Sequence, residues 1–181
     1  NLKLLSNKIY KVTGDSGVGK TIFIESLLGL RKIHLGKILI GGNILEYNKI
    51  NLGNWFSQIG YISNNPTFFD DTLFENIKLG STEISNNSIH NYLDELELKN
   101  AFQKNELIEK IELDPKNTGL SLGQSQRIQI IRGILHSKRI LFIDEGLSNI
   151  ELELRNKILN LLSKHKKKLT IFIISHNMNE N

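Results

Sequence analysis

The stretch GDSGVGKT, residues 14–21, decides how the rest of the chain is interpreted. It follows a β-branched run at residues 9–13 and precedes an apolar segment with helical spacing, formed by Ile22, Ile24, Leu27 and Leu28. The order strand, glycine-rich turn, helix is the context in which the pattern G-x-x-x-x-G-K-[ST] binds phosphate. The sequence therefore predicts a phosphate-binding loop between a first strand and a first helix.

This loop is expected to capture a nucleoside triphosphate. Glycines allow backbone N–H groups to point at phosphate oxygens, and the new helix adds its unpaired N–H groups and the positive end of its dipole. Lys20 supplies a positive charge near the β and γ phosphates, and the Thr21 hydroxyl can ligate Mg²⁺. The predicted nucleotide contacts are Gly14, Asp15, Ser16, Gly17, Val18, Gly19, Lys20 and Thr21.

Composition narrows the class of protein. The chain has 181 residues, of which 39% are hydrophobic, and this is enough to bury a sizeable core. It has no cysteine, which excludes disulfides and thiolate chemistry. The formal net charge is +4, and the basic residues are scattered except for Lys164 and residues 166–168. That cluster closes an amphipathic helical pattern, which favours a solvated helix end, so no nucleic-acid partner is expected.

The chain carries no apolar run near the ~18 residues that a membrane-spanning helix needs, and it lacks a signal-peptide pattern. We therefore expect this stretch by itself to be soluble. Because it begins with Asn1 and stops just after a strand-like run, we also expect it to be a fragment, truncated at both ends.

Further strands are predicted at residues 37–40, 59–63, 139–143 and 169–174, with a weak helical turn at residues 51–58 and an amphipathic helix at residues 151–164. Trp55 and Phe56 are interpreted as core contacts. Between these strands, residues 72–79, 88–98 and 101–111 read as helices without an intervening strand. A further helix at residues 120–135 has Ser121 as its N-cap and Ile128, Ile131, Ile134 and Leu135 on its buried side.

Four groups of polar or loop residues follow predicted strands. They are Gly14, Asn64, the pair Asp144 and Glu145, and His176. Ligands of open parallel α/β sheets bind just beyond the carboxyl ends of the strands. If all four strands run parallel, these groups emerge at one edge, and the sequence predicts a single site there.

The acidic pair has the arrangement of a Walker B strand end. Asp144 is expected to hold Mg²⁺, commonly through a water, opposite Thr21. Glu145 points to the other side of the backbone and can orient or deprotonate a water aimed at the γ phosphate. Because it follows a strand like the other three groups, His176 becomes a candidate donor to that phosphate. A metal site at His176 is the alternative, but no second ligand at useful spacing supports it.

The order of motifs resembles the ATP-binding cassette (ABC) family across essentially the whole chain. Besides GDSGVGKT, the similar motifs are LSLGQ at residues 120–124, ILFIDE at 140–145, SNIE at 148–151 and Ser175-His176. The LSLGQ stretch, followed by Gln126 and Arg127 and then a Walker B strand, is specific to that family.

The resemblance implies a P-loop NTPase fold, α/β with a mostly parallel sheet flanked by helices and an inserted α-helical subdomain. Residues 1–64 and 136–181 would form the core, and residues 65–135 the helical subdomain. Two such domains would sandwich two ATP molecules head to tail, so that Ser121, Gly123 and Gln124 contact the partner's nucleotide. Lys20, Glu145 and His176 would be catalytic, and Thr21, Asp144 and Asn64 would bind the metal.

Residues 68–77 further resemble the exporter subgroup, in which this stretch faces the membrane domain. We therefore expect an exporter's ATPase domain at the cytoplasmic face of a membrane. A soluble ABC ATPase in translation or cofactor assembly is an alternative, and so is a degenerate cassette with little turnover. The last is motivated by three departures from the family pattern, at Asn64, Leu122 and Glu151, where the family has Gln, Gly and Asp.

Overall fold

The computed structural model describes residues 2–40, 43–44, 52–102 and 107–175. In chain order its elements are β1 (Ile9–Thr13), α1 (Lys20–Leu28), β2 (Leu39–Ile40), β3 (Asn43–Ile44), α2 (Leu52–Phe56), β4 (Ile59–Ile62), β5 (Asp71–Thr72), α3 (Leu73–Lys78), α4 (Asn86–Glu95), β6 (Glu112–Leu113), α5 (Leu122–His136), β7 (Ile140–Asp144), α6 (Leu152–His165) and β8 (Thr170–Ser175). Short 3₁₀ turns cover Lys99–Ala101 and Ile108–Lys110.

The central sheet of the described residues has four strands in the order β1-β8-β7-β4. All three pairings are parallel, as predicted. β7 is buried over Leu141, Phe142 and Ile143, which is the near-continuous apolar pattern of a strand covered on both faces. The parallel arrangement is the condition under which the residues that follow these strands share one edge.

Helices cover the two faces of this sheet. On one face α1 packs through Ile24 and Leu28 against Phe142 and Phe172, whose rings stack at 4.8 Å. On the other face α3, α4, α5 and α6 share one continuous core with the sheet. Helix α5 lies very close to β4, because a Cβ atom on Gly60 would stand 2.7 Å from the Gly133 carbonyl oxygen. The absence of a side chain at position 60 lets the helix approach the strand.

The predicted starts of α3, α5 and α6 are confirmed to within two residues, whereas the helix predicted at residues 88–98 is α4, which runs from Asn86 to Glu95. Side-chain caps explain where α3, α4 and α5 start. Ser121 caps α5, and its side chain accepts a hydrogen bond from the Gln124 N–H while the Gln124 side chain reaches back to the Ser121 backbone. Thr72 caps α3 in the same manner as Ser85 caps α4. The lysine cluster lies at the end of α6, where Lys164 pairs with Glu95 at 2.9 Å.

Some details of the prediction are wrong. No continuous helix covers residues 101–111: in the described part, Phe102, Ile108 and Ile111 reach the core from the ends of two 3₁₀ turns. Ile111 instead accepts a hydrogen bond from the Leu73 N–H at 2.7 Å and leads into β6. In the described residues no strand intervenes between these helices, as predicted, but the short strands β5 and β6 that flank them form an antiparallel pair that the sequence did not predict.

One predicted core contact is corrected as well. Phe56 is 37% exposed, because α2 is a short helix beside the sheet, while Trp55 is half-buried and donates to the Leu28 carbonyl at 2.9 Å. Ile22 is 52% exposed on α1. None of the helices in the described ranges combines the length and the apolar character that crossing a bilayer requires.

Candidate nucleotide-binding site

The glycine-rich loop forms an anion-binding turn at the start of α1. Gly17 and Gly19 have φ angles of 81° and 101°, in a region that side chains with a Cβ rarely adopt. Gly19 is the N-cap of α1 and makes no side-chain cap hydrogen bond. The first N–H groups of the helix therefore point out of the loop without a capping side chain, as at phosphate-binding helix ends.

Lys20 folds back across this loop. Its side chain is buried to 8% exposure, and its ammonium group donates to the carbonyl oxygens of Gly14 at 2.8 Å and Asp15 at 3.0 Å. The positive charge is thereby held against the same loop whose N–H groups attract anions. Thr21, the next residue, is exposed in the first turn of α1.

The acidic pair lies at the same edge of the sheet as the loop. Thr13, the last residue of β1, pairs with Ser175 of β8, and Ile174 of β8 pairs with Asp144 of β7. The three strands therefore end within a residue of one another. Since β8 lies between β1 and β7, the loop and the acidic pair are on either side of the end of β8, about 10 Å apart by strand spacing.

Glu145 begins a tight turn in an unusual backbone conformation. Its φ angle is 55°, which is left-handed and uncommon for a residue with a side chain. The turn is held by the Glu145 N–H, which donates to Ile174 at 3.2 Å, and by Ser148, whose N–H and hydroxyl donate to the Glu145 carbonyl at 3.1 and 2.8 Å. Backbone strain of this kind concentrates at functional sites.

Tyr61 also reaches this site, and sequence reasoning missed it. Its hydroxyl donates to Oδ2 of Asp144 at 3.1 Å. Burial raises the pKa of Tyr61 to about 12, with further contributions from the negative charge of Asp144, the hydrogen bond to it, and Glu25. The phenol is therefore protonated near neutral pH and acts as a donor. The contact between Tyr61 and Asp144 depends on the strand order, in which β4 pairs with β7, and this order could not be predicted from the sequence.

Asn64 is exposed in the loop that follows β4, and both ends of that loop are attached to α5. With its oxygen and nitrogen assigned from the surrounding groups, the Gln129 amide donates to the Ser63 carbonyl at 3.1 Å and accepts from the Thr67 N–H at 3.0 Å. Arg132 donates to the Thr67 carbonyl at 2.6 Å. The sequence did not reveal either attachment.

The residues of the LSLGQ stretch form the start of α5 rather than part of the loop site. Ser121 accepts from the Gln124 N–H at 3.2 Å, and the Gln124 side chain accepts from the Ser121 N–H at 2.8 Å. A Cβ atom on Gly123 would lie 3.0 Å from the Asn149 carbonyl oxygen. The start of α5 therefore packs against the SNIE turn that follows the acidic pair.

His176 lies outside the described residues, and its role stays a prediction. Its neighbour Ser175 is the last residue of β8, at the edge that carries the loop and the acidic pair. Within the described ranges, no group of three His, Cys, Asp or Glu side chains could hold a metal ion. Mg²⁺ in nucleotide sites is held by one or two carboxylates together with phosphate and water, so a site with Asp144 and a Thr21 hydroxyl fits that chemistry.

Comparisons with known proteins agree with this geometry. The model of the family described as ABC transporter matches residues 1–148. An "Uncharacterized ABC transporter ATP-binding protein" from Haemophilus influenzae is 29% identical over 180 residues, which cover 98% of this chain and 31% of the relative. An "ATP-dependent lipid A-core flippase" from Francisella tularensis subsp. holarctica is 32% identical over 169 residues, 91% of this chain and 27% of the relative.

Among solved structures, that of a bacterial Atm1-family ABC exporter with ATP bound has a TM-score of 0.84 at 21% identity, covering 96% of this chain and 30% of the other. This likeness confirms the P-loop NTPase fold, with its parallel sheet flanked by helices. The chain spans about 30% of the length of these similar proteins. The family match, the fold and the loop geometry together lead to one conclusion: the chain belongs to the ABC transporter family, as an ATP-binding domain of the kind that hydrolyses ATP.

Proposed function

We propose that this chain is the ATPase domain of a membrane exporter, in which ATP binding and hydrolysis power the movement of a substrate. The observation that carries the proposal is the shared edge of the parallel sheet, where the glycine-rich loop and the acidic pair flank the end of β8. A triphosphate bound on the loop would extend towards the acidic pair. The boundaries of the core at residues 1–64 and 136–181, and of the helical subdomain at 65–135, are part of the proposal.

The triphosphate is bound by the N–H groups of residues 14–19 and by the ammonium group of Lys20. Thr21, Asp144 and Asn64 would hold Mg²⁺, which would neutralise charge on the phosphates when it is bound. Because Asn64 has one methylene less than glutamine, it would act on the metal through a water.

Three residues carry the hydrolysis step. Glu145, which is half-buried in the left-handed turn just beyond β7, accepts the proton of the attacking water. Lys20 stabilises the negative charge of the phosphates. His176 donates a hydrogen bond to the γ phosphate.

A second copy or a related domain completes the site. Ser121, Gly123 and Gln124 face the nucleotide that the partner holds on its own loop. The Ser121 hydroxyl uses an oxygen lone pair for its cap, so its hydrogen is still available to donate to a phosphate oxygen. The positive end of the dipole of α5, which is 15 residues long, supports the same contact.

A groove lined by β4, α5 and the loops beside them supports docking of a membrane partner. It has a volume of about 870 Å³ and is rimmed by exposed apolar side chains. Phe69 is 61% exposed, Leu79 48% and Phe56 37%. Exposed apolar side chains grouped along a groove are typical of an interaction site. A membrane domain, in the same chain or in another, would occupy this groove and hold the ATPase domain at the cytoplasmic face.

The central test replaces the proposed catalytic base. In the full protein, Glu145→Gln is expected to lower ATP turnover by at least about 100-fold, because a general base contributes roughly that much, and to leave ATP affinity unchanged. Glu153→Gln is the matched control, since Glu153 has an 89% exposed side chain on α6. Phosphate release and equilibrium nucleotide binding measure the two effects. Equal turnover of both variants would remove Glu145 from the proposed role.

Membrane association separates the exporter from a soluble ABC ATPase. We expect the full protein to sediment with membranes, and replacing Phe69 with Ser to weaken the stimulation of its ATPase activity by the membrane domain. Fractionation with ribosomes and independence from membranes would favour the alternative.

A further inference from the structure

Tyr61 connects the edge strand of the sheet to the strand that carries the acidic pair. It lies in β4 opposite Phe142 of β7, and its hydroxyl reaches past this pair to Oδ2 of Asp144, 3.1 Å away. Phe142 and Asp144 are two residues apart on β7, so their side chains emerge on the same face of the sheet. Tyr61 thus contacts the acidic residue through a neighbouring strand rather than through the loop that follows β7.

We propose that Tyr61 is a positioning residue for the divalent cation that accompanies the nucleotide, and that its hydroxyl fixes the orientation of the Asp144 carboxylate. The inference rests on the proposed function, in which Asp144 holds that cation. Tyr61 lies outside both the phosphate-binding loop and the acidic pair, in β4.

The geometry favours orientation over simple packing. The terminal torsion of an aspartate side chain is broad, so a carboxylate at the end of a strand samples many directions unless a donor restrains it. A tyrosine hydroxyl is a suitable restraint, because the ring has few rotatable bonds and β4 is hydrogen-bonded to β7 along Ile59–Ile62. With Oδ2 held by Tyr61, the plane of the Asp144 carboxylate is restricted, and with it the direction from which this residue can hold the cation or its bound water.

Groups that hydrogen-bond to metal ligands commonly change metal affinity by about 10- to 100-fold when they are removed. Tyr61 is 46% exposed, so water replaces part of the lost hydrogen bond. We therefore expect the lower end of that range, about tenfold.

The test compares Tyr61→Phe with wild type by titrating a fluorescent ATP analogue into the full protein, once with Mg²⁺ and once with EDTA. The expected result is that Mg²⁺ enhances nucleotide affinity about tenfold less in the variant, while the affinity in EDTA is unchanged. Tyr10→Phe is the matched control. Tyr10 lies on another strand of the same sheet and donates to the Leu5 carbonyl at 2.9 Å, so this variant should match wild type in both conditions.

The outcomes separate the inference from the function on which it rests. If Mg²⁺ enhances binding by wild type but enhances binding by Tyr61→Phe equally, the positioning role is wrong. If Tyr61→Phe loses the same nucleotide affinity with and without Mg²⁺, Tyr61 has only a structural role and the inference is wrong. A larger Mg²⁺ enhancement in the variant than in wild type would also overturn the inference. If Mg²⁺ has no effect on wild type, or Asp144→Asn retains the full Mg²⁺ effect, the proposed metal site itself fails.

Discussion

Asn76 is fully buried and joins α3 to the segment before it and to α5. The two hydrogens of its side-chain NH₂ group are shared among the carbonyl oxygens of Phe69, Asp71 and Thr72, at N···O distances of 3.0, 3.1 and 3.0 Å. Its oxygen accepts from the Phe69 N–H at 2.8 Å and from Arg132 at 2.9 Å. One amide therefore satisfies five backbone and side-chain groups, so its replacement should have a large and measurable effect.

We predict that Asn76→Leu lowers the free energy of unfolding by about 3–4 kcal/mol. Leucine has a similar size, so the change creates little cavity and reports on hydrogen bonding. A net hydrogen bond contributes roughly 1 kcal/mol, and a fully buried group left unpaired costs about 1–3 kcal/mol, a cost that applies in part to the partly buried Phe69 N–H. Water reaching the partly exposed carbonyls and the greater hydrophobicity of leucine offset some of the loss. The melting temperature should fall by roughly 6–15 °C.

Urea and thermal denaturation followed by circular dichroism measure this loss. Asn87→Leu is the matched control, because Asn87 is exposed on α4 and the same substitution there should change stability by about 0.5 kcal/mol or less. A double-mutant cycle with Arg132→Met isolates the contact between Asn76 and Arg132. A loss below about 1 kcal/mol for Asn76→Leu, similar to that of Asn87→Leu, would refute the assignment of this network as a main source of stability.

Two further predictions concern pH and the start of α5. Burial lowers the pKa of His165, whose ring lies 3.1 Å from the Tyr92 hydroxyl. The charged groups around it are Glu95, Lys164 and Lys168. Because the unfolded chain then binds a proton more readily, the His165 contribution to stability is present above a pH of about 6.5 and is lost as pH falls below it. Urea denaturation at two pH values should show a smaller pH dependence for His165→Gln, and an unchanged dependence would contradict the assignment. Ser121→Ala should cost about 1 kcal/mol through loss of the cap, whereas Ser121→Asn should keep the cap but lose ATP turnover, since it lacks the hydroxyl. Full turnover by the Asn variant would exclude a catalytic contact by that hydroxyl.

The shared edge of the sheet could be predicted because its determinants are local. The glycine pattern places the end of β1 at Thr13, and the apolar run before Asp144 places the end of β7. The rule that ligands bind at the carboxyl ends of parallel strands then brings the two together. The structure of His176 lies beyond the described residues, so this part of the site stays a prediction.

The features that could not be predicted depend on contacts between distant parts of the chain. The strands β5 and β6 are two residues long and exist only because Asp71 and Thr72 pair with residues 112–113. The segment at residues 101–111 has a helical composition, but its apolar residues reach the core in short 3₁₀ turns. In the sequence, Tyr61 is an ordinary strand residue, and only the strand order brings it to Asp144. Gln129 is an ordinary helix residue, and only the packing of α5 brings it to the loop after β4.

The attachment of that loop at both ends has a mechanical consequence. Gln129 is hydrogen-bonded to Ser63 and Thr67, and Arg132 is hydrogen-bonded to Thr67. Both ends of the loop that carries Asn64 are therefore fixed to one side of α5. A tilt of α5 would carry this loop with it, because moving the loop alone would break three hydrogen bonds. Asn64, which lies in this loop, would then shift together with α5.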